Sequence, residues 1–140
     1  MDIIIINGPN LNLIGTREPE IYGSLTMEEV YSRLVEKYTD IKLQYFQSNH
    51  EGDLIDKLQE VGFSYDGVIL NAGAYTHTSI AIADAIKAIT TPVIELHISN
   101  VYERETFRHH SYIADNCIHH IIGKGVDGYE DALRYFLDKS

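Results

Sequence analysis

The sequence predicts a doubly wound α/β fold, a parallel sheet covered by helices on both faces, and two observations carry that expectation. Short β-branched or apolar runs alternate along the chain with longer segments whose apolar residues recur at helical spacing. Alternation of this kind builds right-handed βαβ units, which assemble into a parallel sheet. The runs DIIII and DGVIL also lack the apolar–polar alternation of a half-exposed strand, as strands covered on both sides should.

Residues 2–6 (DIIII) are the first expected strand. The polar stretch NLIGTREPEIYGS at 12–24 is longer than the ~2–6 residues usual between strand and helix. It carries Arg17 five positions before Tyr22, with Gly15 and Gly23 as candidate hinges. Thr26 with Glu29 three residues later writes a capping box, and Met27, Val30, Tyr31, Leu34, Val35 and Tyr38 follow as a helical stripe. Ile41, Leu43 and Tyr45 alternate as the second strand. Leu54, Ile55, Leu58 and Val61 mark the second helix, with Gly62 as its natural stop. DGVIL (66–70) is the third strand, TSIAIADAIKAIT (78–90) the third helix and PVIELHI (92–98) the fourth strand. A short helix is expected within the polar segment 103–113. NCIHHII (116–122) is the fifth strand, and Tyr129, Ala132, Leu133 and Phe136 stripe the last helix. Five strands in 140 residues fit the flavodoxin-like order 2-1-3-4-5 in a single domain over 1–140.

Composition narrows the function classes. The chain is long enough to bury a core without staples. Its one cysteine, Cys117, excludes an internal disulfide and fits a reducing, cytoplasmic setting. No stretch reaches the ~18 apolar residues of a membrane span, and no basic-then-apolar leader opens the chain. A formal net charge of −10 argues against nucleic acid or an anionic membrane as partner. A small anionic ligand remains open to it, because a few arginines reverse the potential locally.

Ligands of such sheets bind outside the carboxyl ends of the strands. The first strand is followed by Asn7, Pro9 and Asn10, the second by Ser48, Asn49 and His50, and the third by Asn71, Gly73 and His77. Near the end of the fourth lie Glu95, His97, Ser99 and Asn100, with Arg104 and Arg108 beyond. Buried polar groups cost free energy unless paired, so a rim this rich reads as a site. Glu95 stands two positions before His97 on the same strand face. A carboxylate there fixes the imidazole tautomer and supports its charged form, which suits a general acid. For His77 and His97 alike the plainer alternative is a capping or core histidine.

Tyr22 admits two readings. Its ring could simply cover the loop, or Arg17 could lower its pKa so that it acts as a base. An unperturbed tyrosine with a pKa of ~10 is only ~0.1% ionised at neutral pH, and a cation within ~4–6 Å lowers a pKa by ~1–3 units. Residue types alone leave both readings open.

Other motifs reduce to structure. GKGVDG (123–128) matches a dinucleotide fingerprint in form, but no second βαβ half follows it, so it reads as a turn. GPNLNLIG lacks the Gly- and Ser/Thr-rich character of a flavin or nucleotide phosphate loop. The pairs His109–His110 and His119–His120 are adjacent, point in different directions and offer no metal-ligand spacing. Ser99 has no nucleophile-elbow context. Cys117 reads as core packing in mid-strand.

Four segments, NGPNLNLIGTREPEIYG, QSNHEGDLID, ILNAGAYTHTSIAIADAI and ELHISNVYERETFRHHSY, together resemble the type II 3-dehydroquinate dehydratases of the shikimate pathway. The resemblance runs from Ile5 to beyond Tyr112, and the final strand and helix also fit. Three positions depart from the family's habit: Tyr102 where a histidine is common, and Glu103 and Thr106 where alanine and glutamate are usual.

The resemblance implies a flavodoxin-like fold. It also implies loss of water from 3-dehydroquinate to give 3-dehydroshikimate, by anti elimination through an enolate, with no metal or organic cofactor. Carried over by motif, Tyr22 would be the base, kept ionised by Arg17. Asn10 would hold a water against the enolate oxygen, and His97 would protonate the departing hydroxyl with Glu95 supporting it. Asn71, Ile98 and Ser99 would grip the substrate, the last two through its carboxylate, with His77 and Arg108 on ring hydroxyls. Arg17 and Tyr22 would ride on a lid that excludes bulk water while the enolate forms.

The family's trimers, grouped into dodecamers, would bring Asp84 to a neighbouring subunit's site. The helix around Asp84 is apolar almost all round, a surplus that suits a subunit interface. The rival readings are a non-catalytic small-molecule binding module on the same fold and a flavin-binding electron carrier.

Overall fold

Four consecutive isoleucines, Ile3 to Ile6, are fully buried in β1 (Asp2–Asn7) of the computed structural model, which describes residues 1–16, 20 and 24–139. Arg17 and Tyr22 lie outside the described residues. An uninterrupted β-branched run needs cover on both faces and partners on both edges, and β1 has them. It pairs in parallel with β2 (Lys42–Gln47) on one side and β3 (Gly67–Asn71) on the other. β4 (Val93–His97) and β5 (His119–Ile122) extend the sheet, giving the order β2-β1-β3-β4-β5 with every pair parallel, the flavodoxin-like arrangement expected.

Successive side chains leave a strand on opposite faces, and the core divides accordingly. Ile3, Ile5, Ile69, Ile94 and Leu96 face α1 (Met27–Lys37) and α4 (Asp127–Lys139). Ile4, Ile6, Val68 and Leu70 face α2 (Glu51–Val61) and α3 (Ile80–Ala88). The capping box is formed: Thr26 Oγ1 accepts from the Glu29 N–H at 3.2 Å, and Glu29 Oε1 accepts from the Thr26 N–H at 3.1 Å. α3 starts at a serine cap, Ser79 Oγ accepting from the Ile82 N–H at 2.9 Å.

Gly62 does end α2, but for another reason than a left-handed turn, since its φ is −70°. A Cβ there would lie 2.3 Å from the Ile89 side chain and 2.5 Å from the Leu58 carbonyl, so the residue is small because the chain beyond α3 presses on it.

The short helix expected within 103–113 is the 3₁₀ turn Thr106–Arg108, with a second 3₁₀ turn, Val101–Glu103, at the start of the segment. Two expectations need correction. The fifth strand begins at His119 rather than Asn116, since Ala114–Asn116 is a 3₁₀ turn tied to α3 by the Asn116 amide on the Ala83 carbonyl at 2.9 Å. Cys117 therefore precedes the strand; it packs half-buried against the α2–α3 side of the core, and burial, with the Glu95 charge, pushes its thiol up to about 12.

Candidate functional site

The carboxyl ends of the strands converge on one cleft, and most of the polar residues singled out from the sequence line it. Asn10, Asn71, His77, His97, Ile98, Ser99 and Arg108 share it with Arg104. Glu95 sits immediately behind His97. Asp84 does not reach the cleft; it stands on the exposed side of α3.

His97 is placed by strand periodicity. Two residues apart on β4, it and Glu95 leave the same face, and His97 Nε2 lies 2.9 Å from Glu95 Oε2 with both side chains almost wholly buried. Ser111 Oγ donates to the same oxygen at 2.7 Å, and His120 Nδ1 lies 2.9 Å from Oε1. Burial by itself would raise the Glu95 carboxyl. The bonds from His97 and Ser111, the His97 charge and the bond from His120 outweigh it and hold the group down to about 2. An ionised carboxylate can only accept, so His97 Nε2 carries a hydrogen toward Glu95, and Nδ1 is the nitrogen Glu95 leaves unengaged.

His77 lies beside His97 with ring centroids 6.1 Å apart and planes 23° from parallel. Its Nδ1 donates to the His110 carbonyl at 2.8 Å. Burial lowers its pKa, against the pull of that carbonyl and with help from the charges of His97 and Arg108, so the neutral ring is favoured. A neutral imidazole here presents Nε2 as an acceptor for a hydroxyl.

Asn10 is the non-glycine residue with positive φ, 69°, among the described residues, a conformation asparagine tolerates. Its N–H donates to Asn49 Oδ1 at 3.0 Å. Asn49 is itself clasped by Gln47 Nε2 at 3.2 Å and, through its carbonyl, by the Tyr75 hydroxyl at 2.9 Å. The loop after β1 is thus locked to the loop after β2.

Asn71 is oriented from below. Its Nδ2 donates to the Tyr129 hydroxyl at 3.2 Å and its Oδ1 accepts from the Gly73 N–H at 3.2 Å. The Tyr129 hydroxyl passes its own hydrogen to Asn7 Oδ1 at 2.8 Å. Complete burial drives the Tyr129 phenol far up, so it stays a neutral strut in spite of the two asparagines. Arg108 bonds to Glu105 through Nε, and that bond comes first among the influences that lower the Glu105 carboxyl. With Arg104 it places two guanidinium groups on the cleft of an acidic chain, where an anion would be drawn. A buried imidazole backed by a carboxylate, beside an anion-receptive wall, can deliver a proton to a leaving group on a small acid.

Sequence reasoning missed Ser111, His120 and the hydroxyl of Tyr129, whereas Asn49 was among the rim residues it named. The register of β5 on β4 pairs Glu95 with His120, and that pairing is the signal that would have found the second imidazole. Tyr129 read as one more apolar residue of the α4 stripe, which its ring is; its hydroxyl has the other role. Among the described residues no three His, Cys, Asp or Glu side chains gather as a metal would require, and no helix is long and apolar enough to cross a membrane.

The family model described as dehydroquinase class II matches residues 1–137. A protein of Exiguobacterium sp. named 3-dehydroquinate dehydratase is 54% identical over 139 residues, covering 99% of this chain and 95% of that protein. A Neosartorya fischeri protein named catabolic 3-dehydroquinase 2 is 50% identical over 135 residues, 95% of this chain and 90% of that one. The crystal structure of a type II dehydroquinase from Butyrivibrio crossotus superposes with a TM-score of 0.93 at 46% identity, covering 98% of this chain and 97% of that one.

Proposed function

The chain belongs to the class II dehydroquinase family, and from that premise we propose that it is a hydro-lyase of the shikimate pathway, converting 3-dehydroquinate to 3-dehydroshikimate by anti elimination. The observation that carries this reading is the buried His97–Glu95 pair at the carboxyl rim, 2.9 Å apart, facing a cleft with two arginines.

The chemistry assigns each residue a task. Tyr22, kept ionised by Arg17, takes the proton next to the ketone, and the electron pair of that C–H bond forms an enolate. Asn10 holds a water against the enolate oxygen, where a donor stabilises the developing charge. The enolate then collapses, forming the ring double bond as the C–O bond to the hydroxyl breaks. His97 gives that hydroxyl its proton, so it leaves as water, and Glu95 stabilises the imidazolium from which the proton comes. The substrate carboxylate rests on Ile98 and Ser99, with Asn71, His77 and Arg108 on the remaining oxygens. No metal or organic cofactor takes part.

The same reading makes residues 1–140 one catalytic domain working in the cytoplasm as a homo-oligomer, a dodecamer of four trimers. Asp84 then completes the site of a neighbouring copy, and Ile80, 60% exposed on the same helix, has a surface to cover. Nucleic acid and membrane are not partners.

The test is the ultraviolet absorbance of the conjugated enone on adding 3-dehydroquinate. A steady rise with the wild type, lost in Tyr22→Phe and in His97→Gln while both stay folded, supports the assignment. No rise with the wild type favours a non-catalytic binding module, and near-normal turnover by Tyr22→Phe removes Tyr22 as the base.

A further inference from the structure

We propose that His120 is a positioning residue for His97, acting through the far oxygen of Glu95; the proposal rests on the reading of His97 as the general acid. Parallel pairing sets His120 beside Glu95, and both side chains leave the sheet on the face that carries His97. His120 Nδ1 therefore meets Glu95 Oε1 at 2.9 Å, while His97 Nε2 and Ser111 Oγ share Oε2 at 2.9 and 2.7 Å.

All three partners donate, because the carboxylate is ionised and has only lone pairs to offer. Ser111 is itself fixed, its Oγ accepting from the Ala114 N–H at 3.1 Å. Yet Ser111 bonds to the oxygen that already holds His97, so by itself it leaves the carboxylate free to turn about that end. The bond from His120 secures the other end. Rotation that would carry Oε2 away from His97 now has to break the contact at Oε1 as well.

The three groups differ in access. Glu95 and His97 side chains are 3% and 6% exposed, whereas His120 is 41% exposed and does not line the cleft shared by Asn10, Asn71 and Arg108. His120 thus braces the acid from the far side of Glu95, in a neighbouring cavity that it shares with His77, His97 and Arg108. Without it, Oε1 becomes a buried acceptor lacking a partner, a state that invites the carboxylate to rotate. The His97 ring then loses its fixed orientation, and with it the Nδ1 position from which the imidazolium gives its proton to the leaving hydroxyl.

The experiment compares His120→Val with His120→Asn in the full chain. Asn carries a neutral N–H close to the place of Nδ1. The readouts are kcat and KM with 3-dehydroquinate, and the imidazole ¹⁵N signals of His97. His120→Val should lower kcat roughly tenfold with KM changed less than twofold, as losses behind a reacting group typically do. His120→Asn should recover most of the rate. The His97 signals should show one Nε2–H tautomer in the wild type and in His120→Asn, and a mixture in His120→Val. Should the valine variant fail to fold, His120→Gln, whose amide lies one bond farther out, takes its place.

A folded variant with normal kcat and an unmixed His97 tautomer overturns the proposal. Equal losses in kcat and KM for the valine and asparagine variants, with the tautomer unmoved, also overturn it and leave His120 a structural residue. If the wild type does not turn over 3-dehydroquinate, the functional reading fails separately. The tautomer comparison still decides whether His120 positions His97.

Discussion

Glu95 and Glu130 each gather three donors, one inside the rim of the sheet and the other on the surface where α1 and α4 meet. Glu95 has two imidazoles and a hydroxyl. Glu130 Oε2 has Lys37 Nζ and the Tyr38 hydroxyl at 2.6 Å and Arg134 Nη2 at 3.0 Å. Both carboxyls are held at about 2, Glu130 chiefly by the bonds from Lys37 and Tyr38, Glu95 by donors that must first overcome its burial. Equal pKa values therefore hide unequal situations. The charged partners of Glu130, Lys37 and Arg134, are more than half exposed and share their charges with water and salt, so the cluster fastens two helices weakly. Glu95 and His97 have no solvent between them, so geometry there is fixed and electrostatics acts at nearly full strength. Titration alone does not mark a site; a low pKa reached despite burial does.

The largest expected break in this comparison comes from Glu95→Gln. The amide keeps the shape but sets an NH₂ group against donors that need an acceptor. Turnover of 3-dehydroquinate should fall on the order of 10²-fold or more, the usual share of general acid catalysis, and stability by ~1–3 kcal/mol. Steady-state kinetics beside urea denaturation measures both. A fall in stability with turnover intact would separate Glu95 from the chemistry.

Acid should sharpen it next. Both glutamates titrate in the folded chain at about 2, below their ordinary value of 4.5. A depressed folded-state pKa gives stability that is fully present above about 4.5 and drains away as pH falls toward 2, because the unfolded chain takes up protons first. The urea midpoint should therefore drop between pH 5 and pH 2.5. At ~1 M salt, where the screening length is ~3 Å, the contribution of Glu130 should vanish and that of Glu95 should largely remain. A drop abolished altogether by salt would put the two clusters in one class.

Glu130→Gln should do least. Exposed ion pairs are worth ~0.2–1 kcal/mol, so the expected loss is under ~1 kcal/mol at low salt and close to nothing at high salt, with turnover unchanged. Thermal melts at the two ionic strengths check it. A loss several times larger would mean that the cluster carries the docking of α4 on α1.

Local chemistry made much of this molecule readable in advance. The isoleucines of β1 demand a strand buried on both faces, and Thr26 with Glu29 closes a capping box within four residues, so neither needs knowledge of the rest of the chain. Glu95 and His97 pair for the same reason, since two residues apart on a strand is a short-range relation. The rim was legible because strand ends are legible. Where the reading slipped, local pattern was ambiguous: CIHH at 117–120 has the composition of a strand, and the anchoring of Asn116 on α3 is what delays β5 to His119.

Types of element, their order, the parallel character of the sheet and the polar make-up of its carboxyl edge belong to the sequence by itself, because each follows from periodicity and from contacts between near neighbours. The second imidazole on Glu95, the serine beside it, and the hydroxyl of Tyr129 shared between Asn7 and Asn71 were decided only by tertiary structure. Tyr129 and Asn7 are 122 positions apart, and His120 and Glu95 are 25 apart. No local pattern encodes which residue of one strand stands beside which residue of the next. Packing sets that register once both faces of the sheet are buried, because a shift by one residue would move every side chain of the strand to the opposite face, against the wrong helices.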